Sequence, residues 1–249
     1  MRLAFLTADD PIYLPSFFEL VLGEYGAETV CVYSVPPLYK DQTRARAAWR
    51  FYRTFGAGAF AGLVKQLVLA RKARRSIART CERLGVAHAV VPDVNATEFV
   101  AELERRDLDV IVSVSCPQIF RKPLLEAPRV GCLNIHGAPL PHYRGVMPSF
   151  WMLANGEQEA GVTIYFMDEQ IDAGEICAQR RFEIMPTESL DRFLRRSKRI
   201  AAELLIEVLR SIEHGTVTRE PVDTATGSYY SWPDREAVRR FRAAGRRVW

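Results

Sequence analysis

Asn134 and His136 stand two residues apart at the end of an apolar run, Val130–Ile135, that reads as a β-strand. Residues i and i+2 of a strand share a face, so a carboxamide and an imidazole can meet one reacting oxygen. A carboxylate, Asp172, follows in the run Met167–Ile176, between two further apolar segments, where a loop can deliver it to the same pocket. Two hydrogen-bond donors can stabilise charge that develops on that oxygen, and a carboxylate can accept a proton. Each residue alone has a plainer reading: a strand terminator, a hydrogen-bonded structural histidine, and an Asx turn before Ala173 and Gly174. The combination favours chemistry.

A rigid scaffold must hold such a set, and the pattern of the chain provides one. Short apolar runs predict strands at Leu3–Leu6, Glu28–Tyr33, Ala87–Val91, Asp109–Val114, Val130–Ile135, Gly161–Met167 and Glu175–Ile184. Helical patterns fall at about Ser16–Tyr25, Ala96–Arg105 and Glu188–Glu213, the last with Thr187 or Ser189 as cap. Alternating strands and helices predict an α/β fold, a Rossmann-like, mostly parallel sheet with helices on both faces. Ligands of such sheets bind beyond the carboxyl ends of the strands, which points to the loops after Leu6, Val114, Ile135 and Met167. The loop after the first strand, Thr7–Pro15, contains no glycine, and no G-x-x-x-x-G-K-[ST] occurs, so a nucleotide-phosphate loop is excluded.

Composition narrows the class. The chain has 249 residues, 48% hydrophobic and 26% charged, which excludes a disordered or collagen-like protein. Its net charge of +4 is too small to predict nucleic-acid binding. Five scattered cysteines and a short apolar N-terminal run without signal-peptide character lead to the expectation of a reduced, cytoplasmic compartment. His136 and His142 have no third ligand in pattern, so no metal is expected.

Around the three candidate residues the motifs accumulate: Asn134-x-His136, Leu140-Pro141-x-Tyr143-Arg144-Gly145-x-x-Pro148, Asn155-Gly156-Glu157, Gly161-Val162-Thr163-Ile164 and Asp172-x-Gly174-x-Ile176. Together they resemble the folate-dependent formyltransferase family over about residues 1–210, most strongly over 109–184. The resemblance implies the formyltransferase fold, with Asn134, His136 and Asp172 as catalytic residues. It implies 10-formyltetrahydrofolate as the donor of a formyl group to a primary amine. It also places the folate against Cys116, Pro117, Gln118, Ile119 and Phe120, against Leu140, Pro141, Arg144 and Gly145, and against Gln170 and Ile171. Cys116 is expected as pocket lining and not as a nucleophile. Ala138-Pro139 departs from a Ser-Leu common among relatives, which puts any contact of that hydroxyl in doubt here.

The acceptor is narrowed by comparison within that family. The purine-pathway enzymes carry a Gly-rich loop after the first strand, absent here. The methionyl-tRNA enzymes carry a separate C-terminal domain, for which the remainder after the closing helix is short. A small anionic acceptor is therefore expected, an amino sugar, nucleotide-linked, contacted by Asp9, Tyr13, Tyr143, Tyr229, Tyr230 and Trp232. Aromatic residues of the tail can stack on a base or sugar face, or simply pin the tail to the body. The alternatives are a methionyl-tRNA formyltransferase-like enzyme lacking the tRNA domain, or a formyltetrahydrofolate hydrolase.

Residues 1–210 are expected to form the catalytic domain and 211–249 a small C-terminal extension. The catalytic part includes a basic helical insertion, 44–80, with a break at Phe55–Gly58. That insertion has three readings: a membrane-surface helix, a clamp on a phosphorylated substrate, or a segment folded over the sheet or used in a homodimer.

Overall fold

The computed structural model describes residues 1–36 and 43–249. In chain order the elements are β1 Leu3–Ala8, α1 Leu14–Tyr25, β2 Thr29–Val35, α2 Arg44–Phe55, α3 Ala57–Lys72, α4 Ile77–Arg83 and β3 His88–Val90. They continue with α5 Thr97–Arg105, β4 Val110–Val114, α6 Lys122–Leu125, β5 Gly131–His136, β6 Arg144–Gly145, α7 Pro148–Ala154 and β7 Glu159–Phe166. The last are β8 Ile176–Glu183, α8 Leu190–Glu213, β9 Tyr229–Tyr230 and α9 Arg235–Ala243.

Seven strands form one sheet in the order β3-β2-β1-β4-β5-β7-β8. The pairs from β3 to β5 are parallel, and β7 and β8 close that edge antiparallel. The expected mostly parallel sheet is therefore present. Side chains alternate across it as the strand period requires. Leu3, Phe5, Val110 and Val112 face Phe17, Phe18 and Leu205 of α1 and α8, whereas Ala4, Leu6 and Ile111 face Phe99 and Leu103 of α5. Both faces are covered by helices, and the strand order reverses between β1 and β4, where such folds open a crevice.

α8 begins where Ser189 Oγ accepts from the Arg192 N–H at 3.3 Å, the expected cap. Its buried residues Leu190, Phe193, Ser197, Ala201, Leu204, Leu205 and Val208 recur every three or four positions, the spacing of a stripe laid on the sheet.

Two expectations about the ends of segments are refined. The break at Phe55–Gly58 is real: Gly56, at φ 86°, separates α2 from α3. The basic arm, however, ends before α4, because Ile77 and Cys81 are buried in the main core beside α1. The tail is tied in by a third apolar cluster. Ala237, Val238 and Phe241 of α9 pack with Phe150 of α7, Phe193 of α8 and Phe55 of α2. Phe150 and Phe241 stack at 5.0 Å between ring centres.

Candidate active site

The site grows from β5 and its antiparallel neighbour. Pairing sets Asn134 opposite Tyr165 and His136 opposite Thr163, so all four side chains fall on one face. Asn134 Nδ2 donates to the Tyr165 hydroxyl at 2.9 Å, and that hydroxyl donates to Asp172 Oδ1 at 2.9 Å. Asp172 Oδ2 accepts from the Gly145 N–H at 2.7 Å. His136 Nδ1 faces Asp172 Oδ1 at 3.6 Å, and Nε2 donates to the Tyr143 carbonyl at 2.8 Å. A carbonyl only accepts, so Nε2 carries a proton. His136 and Asp172 are 5% and 8% exposed, and Tyr165 is buried too. The three residues singled out thus meet in one network, buried at His136 and Asp172 and half-buried at Asn134.

Tyr165 is the member of this network that the motif reading missed. Burial, together with the Asp172 carboxylate beside it, holds its hydroxyl well above the usual phenol range, so it remains a donor. Only the antiparallel register, which a single sequence does not display, places it opposite Asn134.

The backbone around the network is unusual. Six described non-glycine residues have positive φ, and four of them border the site: Ser115, Tyr143, Met147 and Asp172. Such conformations cost about 1 kcal/mol or more each and persist where the surroundings enforce them. Asp172 is suited to the position, since Asp and Asn tolerate the left-handed region. Thr163 organises the neighbouring loop: its Oγ1 donates to the Ala138 carbonyl at 2.7 Å and accepts from Leu140 N–H at 3.1 Å.

The loop after β4 holds the expected folate-contact residues 116–120 in different roles. Gln118 spends its side chain on the backbone, accepting from Val94 N–H at 2.9 Å and donating to the Pro92 carbonyl at 2.7 Å. Phe120 is 2% exposed and belongs to the core beneath. Those two side chains are therefore structural, and any ligand contact there is made by backbone. Pro117 lies between them and Cys116, whose thiol burial pushes up to about 11, consistent with lining and not with a nucleophile. Ile119 is exposed at the rim, as is Ile171 on the loop carrying Asp172. Gln170 is also exposed on that loop, its N–H bonded to Asp168 Oδ1.

Leu140 is buried, Pro141 follows it across a cis peptide bond, and the Pro141 carbonyl accepts from Ser228 N–H at 3.3 Å. Arg144 and Gly145 form β6, which pairs with Tyr229 and Tyr230 of β9. The Arg144 Nε is buried without a protein acceptor.

The expected acceptor residues divide. Tyr230 stacks between Tyr143, at 5.2 Å, and Trp151, at 4.7 Å, while Trp232 Nε1 donates to Thr54 Oγ1 at 2.9 Å under the Arg50 guanidinium. Both rings pack on the body, the arrangement of the tail-pinning alternative. Tyr143 is buried, its hydroxyl bonded to Glu157 and Asn155. Tyr229 is exposed and its ring lies against Gly145, beside Asp172.

Asp9 is exposed at the end of β1, and Tyr13 sits under Arg195 at the start of α1. Between β1 and β4 the sequence reading missed a cation. Lys198 Nζ donates to Ser115 Oγ at 2.7 Å, and burial lowers its ammonium pKa to about 8 against the opposing pull of Asp10.

Residues 1–209 match the model of the formyl transferase family. A methionyl-tRNA formyltransferase of Geobacter metallireducens is 41% identical over 136 residues, 55% of this chain and 44% of that protein. One from Thermotoga maritima is 36% identical over 136 residues, with the same coverage. The chain spans less than half the length of these curated relatives. Among solved structures, an N-formyltransferase from Helicobacter canadensis, in complex with folinic acid and dTDP-3-aminofucose, superposes with a TM-score of 0.62. It is 16% identical, over 98% of this chain and 80% of that one. Glycinamide ribonucleotide transformylase 1 from Symbiobacterium toebii gives a TM-score of 0.62 at 18% identity, over 90% of this chain and 94% of that one. At these identities the structures establish the shared fold, and the family match extends through β5, β7 and the loop of Asp172. The chain belongs to the formyl transferase family.

Proposed function

We propose that this protein moves a formyl group from 10-formyltetrahydrofolate to the primary amine of a small anionic acceptor, an amino sugar carried on a nucleotide. The observation that carries the reading is the buried network in which Asn134, His136 and Asp172 converge at the end of β5. The surroundings suit a folate donor. Ile119 and Ile171 present apolar side chains at the rim, and the buried Arg144 Nε lacks a protein acceptor. When bound, the donor supplies an activated formyl carbon.

The acceptor nitrogen attacks that carbon, forming the new C–N bond and moving the carbonyl electron pair onto oxygen. Asn134 has a second amide hydrogen beyond the one given to Tyr165, and this N–H can stabilise the developing oxyanion. His136 spends its Nε2–H on the Tyr143 carbonyl, so it reaches that oxygen only through Nδ1, beside Asp172, and donates there when Nδ1 also carries a proton. Asp172 takes the proton that the nitrogen loses, collapse breaks the bond to the donor nitrogen with its electron pair, and that nitrogen takes up the proton. The products are a formamide and tetrahydrofolate.

An anionic acceptor suits the crevice between β1 and β4, where Lys198 supplies a cation. The amino-sugar reading is supported by the dTDP-3-aminofucose bound to the Helicobacter canadensis protein. A second reading, methionyl-tRNA as acceptor, is favoured by the 41% identity to the Geobacter enzyme. The deciding experiment incubates the protein and 10-formyltetrahydrofolate with dTDP- and UDP-linked amino sugars, with methionyl-tRNA, or with no acceptor. A formylated amino sugar supports the proposal, formyl-methionyl-tRNA alone replaces it, and acceptor-independent formate identifies a hydrolase.

A further inference from the structure

The α2–α3 arm carries a surface that the catalytic reading leaves unused. Residues 43–76 contain nine of the chain's 34 Lys and Arg and none of its 30 Asp and Glu, so the remainder of the protein is net negative. The arm is seated by one face of α3. Trp249 Nε1 donates to the Ala59 carbonyl at 2.7 Å, a Cβ on Gly62 would lie 2.1 Å from the Trp249 ring, and Ala70 is buried.

The opposite face of the helix is apolar as well, yet points outward. Val64 and Val68 are 45% and 46% exposed, in line with exposed Ala57 and Ala61 at spacings of four, three and four. Leu67 and Leu69 flank the stripe and are also exposed, interleaved with exposed Lys65, Arg71 and Lys72. On α2, Trp49 stacks on Tyr52 at 5.4 Å, and Tyr52 meets Phe60, one turn before Val64, at 5.8 Å. Trp49 is 60% exposed. A soluble helix normally buries its apolar stripe and wets the polar one. Here an apolar stripe remains after the helix is already packed, which marks a surface for a partner.

We propose that this face docks on an anionic lipid surface. Charge complementarity selects that occupant. A second copy would bring two acid-free, cationic faces together and suffer like-charge repulsion. Nucleic acid would satisfy the lysines and arginines but set four exposed aliphatic side chains against phosphate and water. A lipid surface takes both groups: aliphatics enter the acyl boundary, Lys and Arg meet headgroup phosphates, and Trp49 lies at the interface. No helix among the described residues is long and apolar enough to cross a membrane, so α3 lies in the plane of the interface.

The test is co-sedimentation of the full chain with vesicles of phosphatidylcholine alone or mixed equally with phosphatidylglycerol. The mixed vesicles capture the protein and neutral ones do not, and raising the salt releases it. The double variant Val64→Glu, Val68→Glu lowers partitioning about tenfold or more, while its melting temperature stays that of the wild type. Lys65→Glu with Lys72→Glu does the same through charge. Equal capture of wild type and both variants would overturn the proposal. So would a dimer, seen by sedimentation velocity, that Val64→Glu splits in the absence of vesicle binding, or capture of an RNA hairpin in place of vesicles.

Discussion

At the carboxyl edge of β5 the buried polar groups answer one another, whereas along the outer face of α3 apolar groups meet water. Asn134, Tyr165, Asp172 and the Gly145 N–H form a continuous run of hydrogen bonds, and removing one member strands another. Val64 and Val68 have no such dependants. The difference separates residues that the fold needs in order to hold a reaction from residues that the fold merely displays. Substitutions at the first region are therefore costly to activity, and substitutions at the second leave the isolated protein intact.

The largest effect is expected at the proton acceptor. Asp172→Asn keeps the left-handed backbone and an oxygen for the Gly145 N–H but removes the base, and kcat falls about a thousandfold or more. The variant stays folded, with a melting temperature lower by a few degrees for the lost Tyr165 O–H acceptor, a loss too small to explain the fall in kcat. Phe241→Ala is the converse case. It opens the cluster that joins α9 to α7 and α2 and costs about 3–5 kcal/mol in chemical denaturation. A loss below about 1 kcal/mol would show the tail to be a loose appendage.

Tyr165→Phe follows. It preserves the ring while removing one hydrogen bond from Asn134 and one to the Asp172 carboxylate, and kcat drops about tenfold to a hundredfold with little change in KM. An unchanged kcat would reduce Tyr165 to packing.

A smaller, pH-dependent effect is expected at Lys198. Its ammonium is held down to about 8 by burial, so it is cationic below that pH and neutral above. With an anionic acceptor, kcat/KM for that acceptor declines as pH rises through about 8, and Lys198→Gln abolishes that step of the profile. The smallest effect belongs to the arm: Val64→Glu changes stability by no more than about 0.5 kcal/mol and leaves formyl transfer unchanged in solution.

The strand alternation makes the sheet readable in the sequence, and the motifs around Asn134 single out the three residues that converge beside β5. Parity along β5 alone puts Asn134 and His136 on one face. Tyr165 was not readable in the same way, because its place depends on which strand pairs with β5 and in which register. The two-residue strands β6 and β9 are invisible for a similar reason: Tyr143 N–H reaches Ser228 Oγ across 85 positions of sequence.

α9 did carry a local signal. Asp234 Oδ1 caps the helix by accepting from Ala237 N–H at 2.7 Å, and Ala237, Val238 and Phe241 supply the apolar spacing. The neighbouring aromatics read equally as ligand-stacking rings or as anchors of the tail, and Tyr230 and Trp232 pack on the body of the protein. Lys198 lies on a helix whose apolar stripe dominates its pattern, and only the packing of α8 brings it to Ser115.

Single-turnover formyl transfer by wild type and Asp172→Asn, with 10-formyltetrahydrofolate and a dTDP-linked amino sugar, tests the central claim most directly. The expected result is a formylated sugar from the wild type and a rate lower by about a thousandfold in a variant that remains folded. Wild-type rates from Asp172→Asn would contradict it.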